Sequence, residues 1–385
     1  MKVMSNEKKY FIFSIVTLVL FAIVITCFNY FKNTKNYVED NTSKPTKITK
    51  GISMNLEQTA GAGDYKTVTQ SSWPTEGYVF NAELSRCENG SEISWDDTKK
   101  AVIMQGNVSD KCYVYFDIYQ PTLAEYIKSQ YTGTQGENGI YYHNSTLTNG
   151  AGDNSYRYAG ASDSVNNYIC LGSDEATCPD ANLFRIIGVF GDQTKVIRAK
   201  SVGYQQWHTS ADNTWSSSSL NAYLNGTYLT SLGTIAEKIA TTTWKVGGGS
   251  GSNISASVPK TAYKNEVGSS ASTTIIDKKI GLMYVSDYGF AASPSAWTKT
   301  LGDYDGTDAN GTSIKTINWM YMGYNEWTIS RRSDLTNHSF RVHSSGFVRY
   351  DHVTSSFEVR PSFNLESSVK YVSGSGSMSD PVRVN

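Results

Sequence analysis

The side chains best suited to binding a ligand are concentrated late in the chain, between Trp327 and His352. Three of the five histidines lie in this segment together with four arginines. Arg carries a planar fork of hydrogen-bond donors, and Trp and Tyr offer faces on which other groups stack. We therefore predict a binding surface for a glycan or a protein here, formed by Trp327, Arg331, Arg332, Asp334, Asn337, His338, Arg341, His343, Arg349, Tyr350 and Asp351.

The same segment allows other interpretations. Its arginines would pair with Asp334 and Asp351 if the segment were an ordinary polar surface loop. The three histidines would hold zinc if they converged, and Ser344, His343 and Asp351 would form a hydrolytic group if they were hydrogen-bonded in series. The residue types also suit the variable faces of proteins diversified by retroelements.

A second polar cluster lies in the segment GDYDGTDANG, where Asp303, Asp305, Asp308 and Asn310 follow one another closely. Oxygen ligands on a Gly-containing loop suit calcium. The twelve-residue calcium pattern is incomplete here, so a solvated turn is the alternative.

Motifs of the common enzyme classes are missing from the sequence. It contains no H-E-x-x-H helix, no G-x-S-x-G elbow and no phosphate-binding loop. Matches to S-x-x-K begin at Ser257 and Ser367, but they lack the accompanying S-D-N and K-T-G elements. We expect neither enzymatic activity nor a cofactor.

The overall charge argues against nucleic acid as a partner. The chain of 385 residues has 34 basic and 35 acidic residues and a net charge of −1. No run of Lys or Arg is long enough to neutralise a row of phosphates. Charged residues make up only 18% of the chain, while Ser, Thr, Asn, Gly and Tyr are abundant, which is typical of secreted proteins rich in β-strands.

An apolar segment near the start predicts a membrane anchor. Residues 10–31 form an uncharged segment that is long enough to cross a hydrocarbon core about 30 Å thick as a helix. No small residues follow that would suit cleavage, so an uncleaved signal anchor is expected. It would leave a cytoplasmic tail at residues 1–9 and place the rest, after a stalk at residues 32–50, outside the cell as a single-pass protein.

Cysteine spacing supports this extracellular location. Cys27 lies in the apolar segment, and the other four form two local couples, Cys87 with Cys112 and Cys170 with Cys178. An even number in such couples predicts disulfide bonds, because an oxidising compartment favours them. Buried free thiols in a cytosolic protein are the alternative.

Hydrophobic periodicity divides the remainder into two domains. Residues 51–119 alternate apolar and polar side chains and predict a small all-β sandwich. Residues 120–385 predict one α+β domain with few helices and long loops. The elements expected there are helices at 121–131, 219–229 and 234–242 and strands at 182–190, 195–199 and 279–286, with a flexible Gly/Ser loop at 247–257.

Four stretches of the second domain resemble a known family: NNYICLGSDEATCPDANLFRIIGVF, NTWSSSSLNAYLNG, IGLMYVSDYGF and the ending FEVRPSFNLESSVKYVSGSGSMSDPVRV. The resemblance is to an uncharacterised domain family of Gram-positive surface proteins. That family looks like a C-type-lectin-like fold, related in architecture to formylglycine-generating, sulfatase-modifying proteins. The segment ENGS to CYVYFD resembles a small β module often placed before it.

The resemblance carries several expectations. Phe357, Val359, Phe363 and Leu365 would lie on terminal strands that close the core sheet. The formylglycine-generating enzymes need a thiol pair late in the domain, and no Cys follows Cys178, so that activity is excluded. The expected function is a membrane-anchored cell-surface binding or adhesion protein that presents its ligand site on the late loops. An extracellular hydrolase and a structural envelope protein are the alternatives.

Overall fold

The computed structural model describes residues 51–69, 73–74, 76–107, 109–246, 254–267 and 275–385. The tail, membrane span and stalk predicted for residues 1–9, 10–31 and 32–50 lie outside the described residues. Among the described residues, no helix combines the length and apolar character needed to cross a bilayer.

Short strands dominate the described chain. In the first part they are β1 (Gly51–Glu57), β2 (Tyr65–Val68), β3 (Tyr78–Phe80), β4 (Arg86–Cys87), β5 (Glu92–Asp96), β6 (Ala101–Gln105) and β7 (Lys111–Ile118). The later strands are β8 (Ile140–Tyr142), β9 (Tyr156–Tyr158), β10 (Tyr168–Cys170), β11 (Leu183–Phe190), β12 (Gln193–Arg198), β13 (Tyr204–Gln206), β14 (Thr242–Lys245), β15 (Ile275–Lys278), β16 (Ile280–Gly281), β17 (Glu326–Arg331), β18 (His338–Val342), β19 (Val348–His352), β20 (Ser356–Glu358), β21 (Ser362–Asn364), β22 (Tyr371–Ser373) and β23 (Val382–Val384).

Helices are few and short. The α-helices are α1 (Leu123–Ser129), α2 (Ser219–Tyr223), α3 (Leu229–Ser231), α4 (Pro259–Glu266) and α5 (Val285–Phe290), with a π-helical turn at Leu224–Tyr228 between α2 and α3. Turns of 3₁₀-helix occupy Glu137–Gly139, Trp215–Ser217, Gly233–Lys238, Ile254–Ala256, Pro294–Ala296, Leu301–Asp303 and Ile314–Ile317.

The structure corrects the predicted fold class. The α+β assignment is wrong for the described chain, whose regular secondary structure is mostly β-sheet and which has no α-helix longer than the eight residues of α4. The helix expected at 234–242 is a 3₁₀ turn followed by β14, and the strand expected at 279–286 ends at Gly281. Abundant Thr, Tyr and Trp favour pleated, half-buried surfaces over helices.

The chain divides into two compact units between Tyr119 and Gln120. In the first unit β1 pairs with β2 and β7, and β7 pairs in turn with β3 and β4. The separate hairpin β5–β6 supplies Trp95, whose ring meets Phe116 edge-on at 5.4 Å between centroids. Met54, Leu56 and Val114 complete this small core.

Both predicted disulfide bonds are present. Cys87 and Cys112 lie directly opposite each other on β4 and β7. Cys170, at the end of β10, is bonded to Cys178 in the following loop. Each bond therefore closes a local loop, as the sequence spacing predicts.

Two sheets form the framework of the second unit. The central sheet has the order β16-β21-β12-β11-β10-β23-β22, with β8 and β9 joined to β11. A second sheet, here called the late sheet, has the order β13-β20-β17-β18-β19. Val359, Phe363 and Leu365 are fully buried and Phe357 is partly buried, so the terminal motif is part of the core.

A buried ion pair ties this motif to the late sheet. Arg360 donates to Glu326 from Nε at 2.7 Å and from Nη2 at 2.9 Å. Arg360 Nη2 also donates to the carbonyl of Met320 at 2.8 Å. Both side chains are almost completely excluded from solvent, so each charge depends on the other.

The first bridge should stabilise the small unit substantially. Replacing Cys87→Ser and Cys112→Ser together should lower its free energy of unfolding by about 3.5 kcal/mol, because the bond closes a loop of 25 residues in the unfolded chain. The bond between Cys170 and Cys178 closes a loop of only 8 residues. Replacing Cys170→Ser and Cys178→Ser together should therefore lower the free energy of unfolding of the second unit by only about 2.5 kcal/mol. Denaturant unfolding of the two double variants measures both losses. Equal transitions for variants and wild type would show that the bonds do not form.

Removing Arg360 should be more damaging than removing both members of its pair. Arg360→Met leaves the Glu326 carboxylate buried without its cation and should cost about 3–5 kcal/mol. Arg360→Met combined with Glu326→Leu should recover most of that loss. Chemical denaturation of the two variants gives the comparison, and a double variant no more stable than the single one would contradict the assignment.

Candidate functional site

The predicted Arg-rich surface falls on the late sheet, where much of its binding capacity is already used. Arg332 donates from Nε to Asp334 at 2.8 Å, and its guanidinium lies 4.0 Å from the centre of the Tyr350 ring. Arg341 bonds Asp351 at 3.1 Å. These are the pairings expected of an ordinary polar loop.

The remaining arginines differ in exposure. Arg331 donates to the carbonyl of Val246 at 3.1 Å and to Asn213 Oδ1 at 3.0 Å. Arg349 is exposed. Trp327 is completely buried and donates to the carbonyl of Gln205, so it is a core residue that no surface ligand reaches.

The three late histidines do not converge. His338 contacts Asn337, with 2.6 Å between Nδ1 and Oδ1, and lies 5.5 Å from His352 between ring centres. His343 instead stacks on Phe347. Among the described residues, no group of three or more His, Cys, Asp or Glu side chains is arranged to hold a metal ion.

The residues of the calcium and hydrolytic hypotheses also have ordinary structural roles. In the Asp303–Asn310 segment, Asp308 Oδ1 accepts the backbone N–H groups of Asn310 and Thr312 at 2.9 and 2.8 Å, which closes a turn. The hydrolytic hypothesis needs His343 and Asp351 to serve Ser344. Instead, His343 Nδ1 accepts the N–H of Ser345, and Asp351 binds Arg341. His343 and Asp351 are thus held by groups other than Ser344.

A cavity that sequence reasoning missed lies elsewhere in the second unit. Its volume is about 200 Å³, and we call it the Lys195 cavity. Strands β11, β12, β14 and β21 and helices α4 and α5, with the residues next to these helices, supply the lining. It consists of Phe190, Lys195, Thr242, Thr243, Trp244, Lys245, Tyr263, Val267, Tyr284, Ser286, Asp287 and Asn364.

Sheet register places the polar groups of this cavity. Lys195 on β12 lies directly opposite Asn364 on β21, so both side chains project from the same face. Asn364 Nδ2 donates to Thr242 Oγ1 at 3.0 Å. Three strands thus bring a Lys, an Asn and a Thr to one place.

Aromatic rings surround the Lys195 ammonium. Its Nζ lies 4.6 Å from the ring centre of Tyr284, 5.4 Å from Trp244 and 5.8 Å from Phe190. The negative faces of such rings attract a cation. They also give the cavity apolar walls.

The charge of Lys195 is met by Asp287 at the start of α5. Nζ lies 2.5 Å from Asp287 Oδ2, and both side chains are buried. The same carboxylate oxygen accepts the N–H of Tyr284 at 2.9 Å, which caps the helix. On its other side Asp287 faces the guanidinium of Arg157, which also pairs with Asp153 at 2.6 Å.

A second buried carboxyl group lies beside this pair. Glu266, the last residue of α4, accepts the N–H groups of Val285 and Ser286, both at 2.9 Å, and the hydroxyl of Ser330. Burial raises the pKa of Glu266 to about 7, although the bonds from Ser286 and Ser330 oppose the shift. Burial likewise lowers the pKa of Lys195, against the attraction of Asp287.

Several polar atoms at the Lys195 cavity retain unused bonding capacity. Asn364 Oδ1 is buried and has no hydrogen-bond partner in the described structure. Arg157 Nη1, which is not part of the lining, has only the ion pair with Asp287 at 3.6 Å. The Lys195 ammonium has three N–H groups, of which one points to Asp287. Buried polar groups without partners are costly, so a ligand that satisfies them gains affinity.

Two other grooves are larger but differ in character. They measure about 350 and 300 Å³ and share Lys238 and Asn385. Their described lining includes no aromatic ring. Ligand sites generally combine apolar or aromatic walls with a few placed polar groups, which favours the Lys195 cavity.

Comparison with known proteins adds no relative: no family model, curated protein or solved structure matches the chain. The site is therefore judged on its geometry alone. The sequence does carry a signal for the buried pair, though not for the cavity: Asp287 is the only charge in IGLMYVSDYGF, and Lys195 directly precedes the apolar residues Val196 and Ile197. Charges in such positions need buried partners.

Glu266 should make the stability of the second unit depend on pH. Its pKa of about 7 in the folded protein exceeds the ordinary value of 4.5, so between these values the folded state holds the proton more tightly. The stabilisation contributed by protonated Glu266 is complete below pH 4.5 and is lost as the pH rises through 7. The free energy of unfolding should fall by up to about 3 kcal/mol over this range.

Denaturant unfolding at pH 5 and pH 8 measures this effect. Glu266→Gln should flatten the decline in stability with pH, because the titrating group is gone. The exposed Glu237→Gln serves as the control and should leave the decline unchanged. A decline of equal steepness in Glu266→Gln would assign the pH dependence to another group.

Proposed function

We propose that this protein is a binding protein of the cell exterior and that its ligand occupies the Lys195 cavity. The observation that carries the proposal is a cavity with aromatic walls and a buried, unpartnered amide oxygen. This combination suits recognition of a small polar molecule or of one unit of a larger one.

The extracellular location is supported by the cysteines. Two disulfide bonds join the four cysteines of the described chain, and such bonds persist in oxidising compartments. The low content of charged residues, 18% of the chain, agrees with a secreted or surface-displayed protein. Binding to a glycan or to a protein on a cell surface remains the expected role.

The late sheet is the second candidate for the binding site. Tyr350 is partly exposed beneath the Arg332 guanidinium, and Arg349 is exposed nearby. Stacked Arg and Tyr side chains are frequent at protein interfaces. Most neighbouring hydrogen-bond donors are already bound to groups of the protein, so this surface has fewer free groups for a ligand than the cavity has.

A screen by ligand-observed NMR tests the proposal with the full chain. The probes are monosaccharides, amino acids and short carboxylic acids. Thr242→Tyr places an aromatic ring in the cavity and should abolish the binding of any hit, with at least a tenfold loss of affinity. Thr230→Tyr, on the exposed side of α3, is the matched control and should bind as the wild type does.

A second variant separates the two candidate surfaces. Arg349→Ala combined with Tyr350→Ala should leave the hits unaffected if the cavity is the site. Loss of binding in this variant, with Thr242→Tyr unaffected, would move the site to the late sheet. If no probe binds, or if every hit survives both changes, the cavity is not a ligand site.

A further inference from the structure

The side chains of Lys195 and Asp287 are close enough to react with each other. Lys195 Nζ lies 2.5 Å from Asp287 Oδ2, and only 7% of the first side chain and 3% of the second are exposed. An amine and a carboxylic acid that are held in contact can condense to an amide with the loss of one water molecule. The two residues are 92 positions apart in the chain, so this amide would be a covalent cross-link between β12 and α5.

Aromatic rings exclude water from this contact. The ring centres of Tyr284, Trp244 and Phe190 all lie within 5.8 Å of Lys195 Nζ. Burial lowers the pKa of Lys195 against the attraction of Asp287, which favours the uncharged amine that acts as a nucleophile. The absence of water also protects an amide from hydrolysis once it has formed.

The guanidinium of Arg157 lies where charge develops during the condensation. Its buried Nη1 has no hydrogen-bond partner in the described structure and lies 3.6 Å from Asp287 Oδ1. Attack on the carboxyl carbon of Asp287 places negative charge on one of its oxygens, and a cation beside that oxygen stabilises the charge. Arg157 also pairs with Asp153 at 2.6 Å, so it keeps a partner after the charge of Asp287 is gone.

We propose that Lys195 and Asp287 form an intramolecular amide bond between Nζ and Cγ. A proton first passes from Nζ to Oδ2, which gives an amine and a carboxylic acid. The nitrogen then bonds to Cγ, and a second proton moves from Nζ to the Oδ2 hydroxyl group, which leaves as water when the Cγ–Oδ2 bond breaks. No oxidant or further reactant is consumed. The water is released beside the Lys195 cavity of about 200 Å³, which both residues line.

The reaction removes two buried charges and leaves the net charge of the cluster unchanged. One cation and one anion are consumed together, so no ion is left without its partner. Because each buried ion costs several kcal/mol of lost hydration, their replacement by a neutral amide favours the product. The proposal does not depend on the proposed function, since the cross-link can form whether or not a ligand occupies the cavity.

A second Lys–Asp pair provides a control within the same chain. Lys200 Nζ also lies 2.5 Å from Asp180 Oδ2, but these side chains are 58% and 65% exposed. Both groups therefore keep their hydration and their charges, and water competes with any condensation. We expect no amide at this pair, which separates the effect of burial from that of contact alone.

Mass spectrometry of the full chain tests the proposal. After storage of the folded protein at neutral pH, the denatured and reduced wild type should be lighter than its calculated mass by one water molecule. A tryptic digest should contain a branched peptide that joins Lys195 to Asp287, whereas cleavage after Lys200 should be normal. A wild type with its full calculated mass would overturn the proposal.

Two variants assign the bond. Lys195→Met combined with Asp287→Leu removes both charges, so no unpaired ion is left buried, and this variant should have its full calculated mass. The matched control Lys200→Met should still lack one water molecule. Loss of water from the double variant would overturn the assignment. Loss of ammonia from the wild type, with Lys195 joined to the opposite Asn364, would also overturn it.

Gel electrophoresis gives an independent measurement of the same bond. The cross-link closes a loop of 92 positions that reduction of the disulfide bonds does not open, and a closed loop makes the unfolded chain more compact. The reduced and denatured wild type should therefore migrate faster than the double variant. Equal migration would contradict the cross-link, while the ligand-binding proposal would be unaffected because no ligand takes part in these measurements.

Discussion

The contact between Lys195 and Asp287 is the interaction on which the second unit's cavity depends. It joins the central sheet to helix α5 through two buried charges whose atoms lie 2.5 Å apart. Neither charge would tolerate burial alone, because the cost of removing an ion from water is several kcal/mol even after relaxation. The helix start, the aromatic walls and the flanking Arg157 pair are therefore arranged around it. A cavity with a polar floor and apolar walls follows from that arrangement.

The same constraint explains why the unit needs so many other internal polar contacts. Arg360 and Glu326 repeat the pattern where the terminal motif meets the late sheet, and Glu266 binds the first N–H groups of α5. With only short helices and strands, the unit contains long irregular segments whose backbone groups must also be paired. Buried side chains such as Asn213, whose Nδ2 lies within 2.8 Å of three carbonyl oxygens and shares its two N–H groups among them, perform part of this task.

Sequence reasoning succeeded where the signal is local. The disulfide couples follow from Cys spacing, and α1 follows from the helical pattern after Pro121, although its cap at Thr122 and Glu125 is seen only in the structure. The alternating apolar residues of the terminal motif are buried, as expected. Sequence reasoning failed where tertiary contacts override local pattern. The apolar run IGLMYVS has the composition of a strand, yet Asp287 caps its end and starts a helix at Val285. The Lys195 cavity combines residues from six elements, and no spacing along the chain reveals such a combination.

The late sheet and the Lys195 cavity show why residue type alone is a poor guide to a binding site. Arg, His and Tyr are enriched in the late segment, but a guanidinium that already bonds Asp334 or Asp351 has few donors left for a ligand. At the cavity the count of charged residues is unremarkable, and the informative atom is the buried oxygen of Asn364 that lacks a donor. Unused bonding capacity inside apolar walls is what a ligand can convert into affinity. It is a property of the folded arrangement, which is why the strongest candidate site of this protein emerges only from its three-dimensional structure.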